Sequence, residues 1–198
     1  MILYLDTETT GLYPGQVCQL SYIMQTKEET TAKNFFFTVD YVEYGAQQVH
    51  GLSVEKLKKL SNGLRFRDCI DEIKCDFERA DLIIAHNFNF DYMFLSTEFN
   101  RQLLDLPIKQ SFCSMKSMTP ICKILKSNGK SFKYPKLNEM CKFYEISDSQ
   151  IEKCAVKLFG DTGEFHDARF DTTSVYLSIN EGFKCNVFKD LEKFLWLN

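Results

Sequence analysis

Two carboxylic acids stand two residues apart at the end of the first apolar run of the chain. The run from Ile2 to Leu5 has the composition of a short buried strand, and it leads directly into Asp6 and then Glu8. Side chains of a strand alternate between its two faces, so both carboxylates are expected on the same side. Two such charges repel each other unless a cation lies between them, and oxygen donors of this kind suit Mg²⁺ or Mn²⁺. The pair alone is weak evidence, since charged residues commonly end strands.

Two later segments combine a histidine with an acid. They read His86-Asn87-Phe88-Asn89-Phe90-Asp91 and His166-Asp167-Ala168-Arg169-Phe170-Asp171. In isolation each has a simpler explanation: an aspartate at a helix start satisfies free N–H groups, and a histidine near an acid is usually a packing or surface residue. The spacing of the second segment puts His166 on the loop that enters a helix and Asp171 about one turn inside that helix.

Together with Asp6-Thr7-Glu8-Thr9-Thr10-Gly11-Leu12, these strings resemble the three motifs of the DnaQ-like 3′→5′ exonuclease family, in its DEDDh form. The motifs occupy residues 6–12, 86–91 and 166–171 in the expected order, and the resemblance extends over roughly residues 1 to 180. It implies a ribonuclease H-like fold of the α/β class, with a mixed central sheet flanked by helices.

The resemblance also implies roles for individual residues. Two divalent cations, Mg²⁺ or Mn²⁺, would be held by four acids: Asp6, Glu8, Asp91 and Asp171. His166 would be the general base that takes a proton from the attacking water. The implied substrate-binding residues are Thr9, Thr10, Gly11, Leu12, His50, Asn87 and Phe90. Core packing is the alternative role for Leu12 and Phe90, and His50 is expected to be structural or substrate-lining.

Local patterns indicate the elements that would position these residues. Strands are expected at 2–5, 16–25, 35–39 and 81–85, and helices at 54–60, 65–79, 88–104, 118–125, 137–144, 167–180 and 187–197, with Gly182 between the last two. The first three strands suggest an antiparallel meander, and the later strand that feeds a helix implies parallel pairing. Residues 1–198 are therefore expected to form a single layered domain.

Composition limits the partners. The net charge is −3 and the pI about 5.7, which argues against tight, sequence-independent binding of duplexes but allows a grip on a few nucleotides through bound cations. The lysines between residues 123 and 142 are either a solvated face or a phosphate-steering patch. Eight cysteines without a C-x-x-C pair suggest reduced, mostly buried thiols. Without a basic leader or a long apolar stretch, we expect a cytoplasmic or nuclear protein with no signal peptide and no membrane partner.

The predicted function is hydrolysis of phosphodiester bonds from the 3′ ends of nucleic acid, DNA or RNA, with release of nucleoside monophosphates. Single-stranded DNA is the favoured substrate. An oligoribonuclease-like enzyme acting on short RNA and a proofreading subunit of a polymerase assembly are the alternatives, and a homodimer is compatible with the sequence. A nucleophilic hydrolase is disfavoured, because the sequence has no Gly-x-Ser-x-Gly elbow.

Overall fold

The fold is built on a five-stranded mixed sheet. The computed structural model describes residues 1–161 and 166–196. The strands are β1 (Ile2–Thr9), β2 (Val17–Gln25), β3 (Thr30–Phe36), β4 (Leu82–Ala85) and β5 (Ser111–Cys113). Their order is β3-β2-β1-β4-β5. The first three strands are antiparallel to one another, whereas β4 is parallel to β1 and β5 to β4. The mixed sheet, the meander and the parallel pairing expected from the sequence are confirmed.

Helices surround this sheet. They are α1 (Tyr44–His50), α2 (Val54–Leu60), α3 (Phe66–Arg79), α4 (Phe88–Asn100), α5 (Ser114–Cys122), α6 (Leu137–Phe143), α7 (Asp148–Phe159) and α8 (Ala168–Lys184), followed by a 3-10 helix (Lys189–Leu195). No helix within the described ranges is long and apolar enough to cross a membrane.

The two faces of β1 are covered by different helices. Leu3 and Leu5 belong to a buried cluster with residues of α3 and α4, such as Phe94. Tyr4, on the other face, belongs to a second cluster with Val175 of α8. Because side chains alternate along the strand, this arrangement assigns Asp6 and Glu8 to the α8 side and Thr7 to the α4 side.

The predicted end of α8 was wrong. The helix continues through Gly182 to Lys184 instead of ending at Asn180. Gly182 is a packing point rather than a helix end, since the ring of Phe188 occupies the space that a Cβ would need. The segment predicted as a helix at 187–197 is a 3-10 helix over Lys189–Leu195, and residues 197–198 lie outside the described residues.

Other elements were missed or displaced. The third strand ends at Phe36 instead of Val39, and the three-residue β5 was not predicted. Helix α1 escaped detection because none of its residues is buried, so it has no apolar stripe. Helix α7 was also not predicted, although its start carries a sequence signal, the capping box formed by Ser147 and Gln150.

The thiols also differ from expectation. All eight cysteines are unpaired, but only Cys18 and Cys141 are buried, while Cys75 and Cys185 are exposed. The expectation of mostly buried thiols was wrong, because half of the eight occupy partly exposed positions on the helices and at their ends.

Candidate active site

The carboxyl end of β1 carries the first two acids. Asp6 pairs with Ser21 of β2 and Glu8 with Gln19, whereas pairing with β4 stops at Leu5. Beyond that point β4 has ended and the chain continues into α4, so the last residues of β1 pair with β2 alone. This end of the strand therefore adjoins the start of α4 instead of a paired strand.

Helix α8 brings the third acid to the same place. Its first turns are fixed on β2, since the N–H of Ala168 donates to Gln19 Oε1 at 3.3 Å and the hydroxyl of Thr172 donates to the Ser21 carbonyl at 3.2 Å. Asp171 lies one residue before Thr172. Carboxylate oxygens of Asp6, Glu8 and Asp171 all lie within 4.8 Å of one another. We call these three residues the carboxylate cluster.

Asp91 approaches from the other layer of the fold. It lies in the first turn of α4, and its Oδ1 accepts hydrogen bonds from Thr7, at 3.2 Å from the N–H and 2.8 Å from the hydroxyl. Thr7 therefore ties the fourth acid to the strand that carries the first two. The Asp91 charge also raises the pKa of both Asp6 and Glu8, so it lies within electrostatic range of the carboxylate cluster.

The cluster is electrostatically unfavourable when it is ionised. Burial, and then repulsion by Asp171, raises the pKa of Asp6 and of Glu8 well above their ordinary values. Burial raises the pKa of Asp91 to about 7 despite the hydrogen bonds from Thr7. Burial, and then the charge of Asp167, raises the pKa of Asp171 to about 7. None of these four acids forms a salt bridge within the described part of the chain.

His166 lies beside the cluster in a left-handed backbone conformation, with φ of 62°. It is partly buried, and this burial lowers its pKa, so the imidazole is neutral near pH 7. The backbone around it is anchored by Arg169. The guanidinium donates two hydrogen bonds of 2.8 Å to the Asp167 carboxylate and one of 2.9 Å to Asp161. It thus joins the two ends of segment 161–167, of which residues 162–165 lie outside the described residues.

A cavity of about 400 Å³ opens beside Glu8, and we call it the β1 cavity. Its lining residues are Thr7, Glu8, Thr9, Gly11, Leu12, Glu43, Gly45, Ala46, Val49, His50 and Phe90. Leu12 is 75% exposed, which rules out the core role considered for it. Phe90 packs against the core, with its ring 5.0 Å from that of Phe94, and it also lines the cavity, so its contact with a substrate base stays a prediction.

Two residues of this cavity have defined structural partners. His50 Nδ1 accepts a hydrogen bond from the Leu52 N–H at 3.0 Å, so Nε2 carries the proton and donates to the Thr9 carbonyl at 3.1 Å. A side chain at Gly11 would displace the Glu43 carboxylate, which occupies the space of a Cβ. His50 thus holds the end of β1 against α1, and its contact with a substrate stays a prediction.

Other predicted residues lie outside the β1 cavity. The hydroxyl of the buried Thr10 accepts a hydrogen bond from the Gln16 N–H at 2.9 Å. Asn87 adopts a left-handed conformation at the start of α4. Substrate binding by these two residues stays a prediction. His86, expected to belong to the frame of the motif, lies 3.0 Å from both the Ser114 hydroxyl and the Pro135 carbonyl.

The sequence reasoning missed several residues that shape the site. Thr7 orients Asp91, Gln19 contacts Asp167 at 2.9 Å, and Arg169 anchors the backbone around His166. Thr7 could have been found from its position between two acids on the opposite face of the strand. Gln19 carries no such signal, since its contact with Asp167 depends on how α8 packs across β2.

The chain is similar to known proteins in both sequence and structure. No family model matches the chain. The epsilon subunit of DNA polymerase III from Salmonella typhimurium is 27% identical over 158 residues, which cover 75% of this chain and 62% of that protein. The corresponding subunit from Rickettsia felis is 32% identical over 102 residues, 48% of this chain and 43% of that protein. The chain therefore spans less than two thirds of these relatives.

Solved structures share the fold at lower sequence identity. Exonuclease X in complex with 5′ overhanging duplex DNA aligns over 98% of this chain and 99% of its own, with a TM-score of 0.63 and 15% identity. The zinc-bound Escherichia coli ExoI–ssDNA complex aligns over 96% of this chain and 42% of its own, with a TM-score of 0.66 and 18% identity. The chain is thus similar in sequence to polymerase epsilon subunits, and it shares the mixed α/β fold of these exonuclease structures. This is the ribonuclease H-like fold that the resemblance of its motifs implied.

Proposed function

We propose that this chain is a DnaQ-like, metal-dependent 3′→5′ exonuclease that releases nucleoside monophosphates, with single-stranded DNA as its favoured substrate. The observation that carries the proposal is the carboxylate cluster, with three acids within 4.8 Å at a strand end and His166 beside them. The names of the relatives support the reaction class, since one is a polymerase epsilon subunit and two neighbours in structure are exonucleases bound to DNA.

The donor set fits divalent cations. Buried carboxylates with raised pKa values and no salt bridge among the described residues require a compensating positive charge when they ionise. Carboxylate oxygens are the ligands that Mg²⁺ and Mn²⁺ prefer. Asp6, Glu8 and Asp171 would hold one cation, and Asp91 would join them in holding a second. When bound, the two cations would stabilise the charge that develops on the phosphate and on the leaving oxygen.

The residues around the cluster would position and activate the reactants. His166 would accept the proton of the attacking water at an imidazole nitrogen, which its neutral state permits. The β1 cavity would hold the terminal nucleoside, with Leu12 and Phe90 as apolar surfaces for its base. The hydrogen bond from His50 to Thr9 would keep the wall of that cavity in place.

The test is degradation of matched 5′-labelled DNA and RNA oligonucleotides in Mg²⁺, Mn²⁺ or excess chelator. We expect stepwise shortening from the 3′ end with either cation, faster on single-stranded DNA. We expect no shortening with chelator or after Asp6→Asn. The exposed Asp105→Asn is the matched control and should keep full activity. Chelator-resistant shortening would overturn the proposal, and a preference for short RNA would favour the oligoribonuclease-like alternative.

A protein partner of the chain is suggested by the names of its relatives. The epsilon relatives are named as subunits of DNA polymerase III, which makes a polymerase subunit the first candidate for a protein partner of this chain. Co-sedimentation of the chain with a purified polymerase subunit from the same source, compared with the chain alone, would test this role. The same experiment would reveal a homodimer.

A further inference from the structure

A second cavity reaches the carboxylate cluster from another side. It has a volume of about 340 Å³, and we call it the α6–α8 cavity. The residues that line it are Lys136, Leu137, Asn138, Cys141, Lys142, Ile146, Asp148, Ile151, His166, Phe170, Asp171 and Ser174. It shares no lining residue with the β1 cavity. Because a phosphodiester joins two nucleosides, a phosphate held at the cluster would direct one nucleoside into each cavity.

The charges of the two cavities differ in a way that orients the strand. Apart from Glu8 of the carboxylate cluster, the charged side chain of the β1 cavity is the acid Glu43. Burial lowers the pKa of the histidine in this cavity, His50, whose Nδ1 accepts a hydrogen bond. A further phosphate would be repelled there, whereas a terminal nucleoside with a free 3′ hydroxyl brings none. The α6–α8 cavity carries Lys136 and Lys142. It therefore suits the part of the strand that continues through further phosphates.

The two lysines are available for such contacts. Both are exposed, and neither forms a salt bridge to any residue that the structure describes. By contrast, Lys133 is committed to both oxygens of Glu139 at 2.6 Å. Asp148 is the acid on this wall besides Asp171, and it lies in the first turn of α7, where the helix dipole offsets its charge.

The floor of the α6–α8 cavity adds an apolar surface. Cys141, Ile146, Ile151 and Phe170 form one buried cluster beneath the lysines. A sugar or a base can pack against such a floor while the lysines contact phosphate oxygens, which is the combination used for single-stranded nucleic acid.

A third cavity near His166 offers a weaker route for the strand. It contains Lys56 and Arg169 as its basic residues. The guanidinium of Arg169 is already bound by Asp161 and Asp167, and Lys56 Nζ contacts the Gly51 carbonyl at 3.5 Å. This leaves at most one lysine for a phosphate there.

We propose that the α6–α8 cavity binds the nucleotide on the 5′ side of the scissile phosphate, with Lys136 and Lys142 contacting the phosphates of the upstream strand. The proposal rests on the proposed function and adds a binding site for single-stranded nucleic acid to it. The basic segment of the sequence thus acquires a steering role at these two positions.

Two substrates distinguish binding of the upstream strand in this cavity from the hydrolysis step itself. The p-nitrophenyl ester of thymidine 5′-monophosphate has one nucleoside and no upstream strand, whereas a single-stranded DNA 12-mer has both. We expect Lys136→Gln/Lys142→Gln to raise KM for the oligonucleotide about tenfold and to leave hydrolysis of the ester unchanged. The salt dependence of log(1/KM) should become shallower by about 1.4, because each phosphate contact on a single strand contributes about 0.7.

A double variant on a neighbouring helix serves as the matched control. Lys153→Gln/Lys157→Gln removes two exposed lysines of α7 that do not line the cavity, and it should leave the oligonucleotide KM unchanged. The inference is overturned if the Lys136/Lys142 variant keeps the wild-type KM and salt slope, or loses ester hydrolysis equally. A larger effect of Lys56→Gln would place the strand in the third cavity and also overturn it. Wild-type protein that hydrolyses neither substrate would refute the proposed function itself.

Discussion

Removing one charge from the carboxylate cluster should stabilise the metal-free protein above neutral pH. The pKa of Asp171 rises from 3.8 to about 7 on folding, because burial and Asp167 disfavour the charged form. The folded state therefore holds this proton more tightly than the unfolded state, so the stabilising effect is complete below pH 4 and is lost as the pH rises to about 7. At pH 8 the ionised carboxylate costs up to about 4 kcal/mol, at about 1.4 kcal/mol per pKa unit.

Chemical denaturation in chelator, at pH 4.5 and at pH 8, measures this cost. Asp171→Asn should be clearly more stable than the wild type at pH 8, by one to about 4 kcal/mol, and the gap should narrow at pH 4.5. Asp105→Asn, which removes an exposed carboxylate elsewhere, should show no such gap. Saturating Mg²⁺ should stabilise the wild type more than the variant. The reasoning is refuted if Asp171→Asn is no more stable than the wild type at pH 8.

Four further substitutions test other parts of the structure. Burial lowers the pKa of His86 in the folded protein to about 4, so only the unfolded chain binds a proton at this residue between pH 6.5 and 4, and the wild type loses stability as the pH falls. The difference in free energy of unfolding between the wild type and His86→Gln should therefore shrink by up to about 3 kcal/mol over that range, as denaturant titrations would show. Arg169→Lys should lower kcat roughly tenfold with little change in KM, because a lysine cannot bridge both ends of the segment that carries His166; an unchanged kcat would remove the anchoring role. Gly182→Ala should lower the melting temperature although alanine favours helix, whereas Gly45→Ala, with open space around its Cβ position, should raise it; equal shifts would contradict the packing explanation.

The sequence was informative where local chemistry decides the structure. The alternation of a strand was enough to predict that Asp6 and Glu8 share a face, and the apolar runs were enough to predict the meander and β4. The meeting of Asp171 with that face depends on contacts of α8 with Gln19 and Ser21, which are far away in sequence. Only the resemblance of the motifs anticipated it.

Other features lay beyond local patterns for physical reasons. Asp91 comes from the opposite layer and reaches the site through Thr7, a contact that no spacing along the chain encodes. Gly182 looked like a helix end, because a glycine usually weakens a helix, but the packing of Phe188 overrides this preference. The α6–α8 cavity combines lysines of one helix with the acid of another, so the lysine segment could not be assigned to a solvated face or to substrate from its composition.

The most direct test of the central claim is hydrolysis of a single-stranded DNA oligonucleotide in ¹⁸O-labelled water with Mg²⁺, followed by mass spectrometry of both products. Attack by water on the phosphate of the 3′-terminal nucleotide predicts one ¹⁸O in each nucleoside 5′-monophosphate released, and a shortened strand that ends in an unlabelled 3′ hydroxyl. A shortened strand that retains a labelled 3′ phosphate, or label in internal fragments, would contradict the assignment of this site to 3′→5′ exonuclease chemistry.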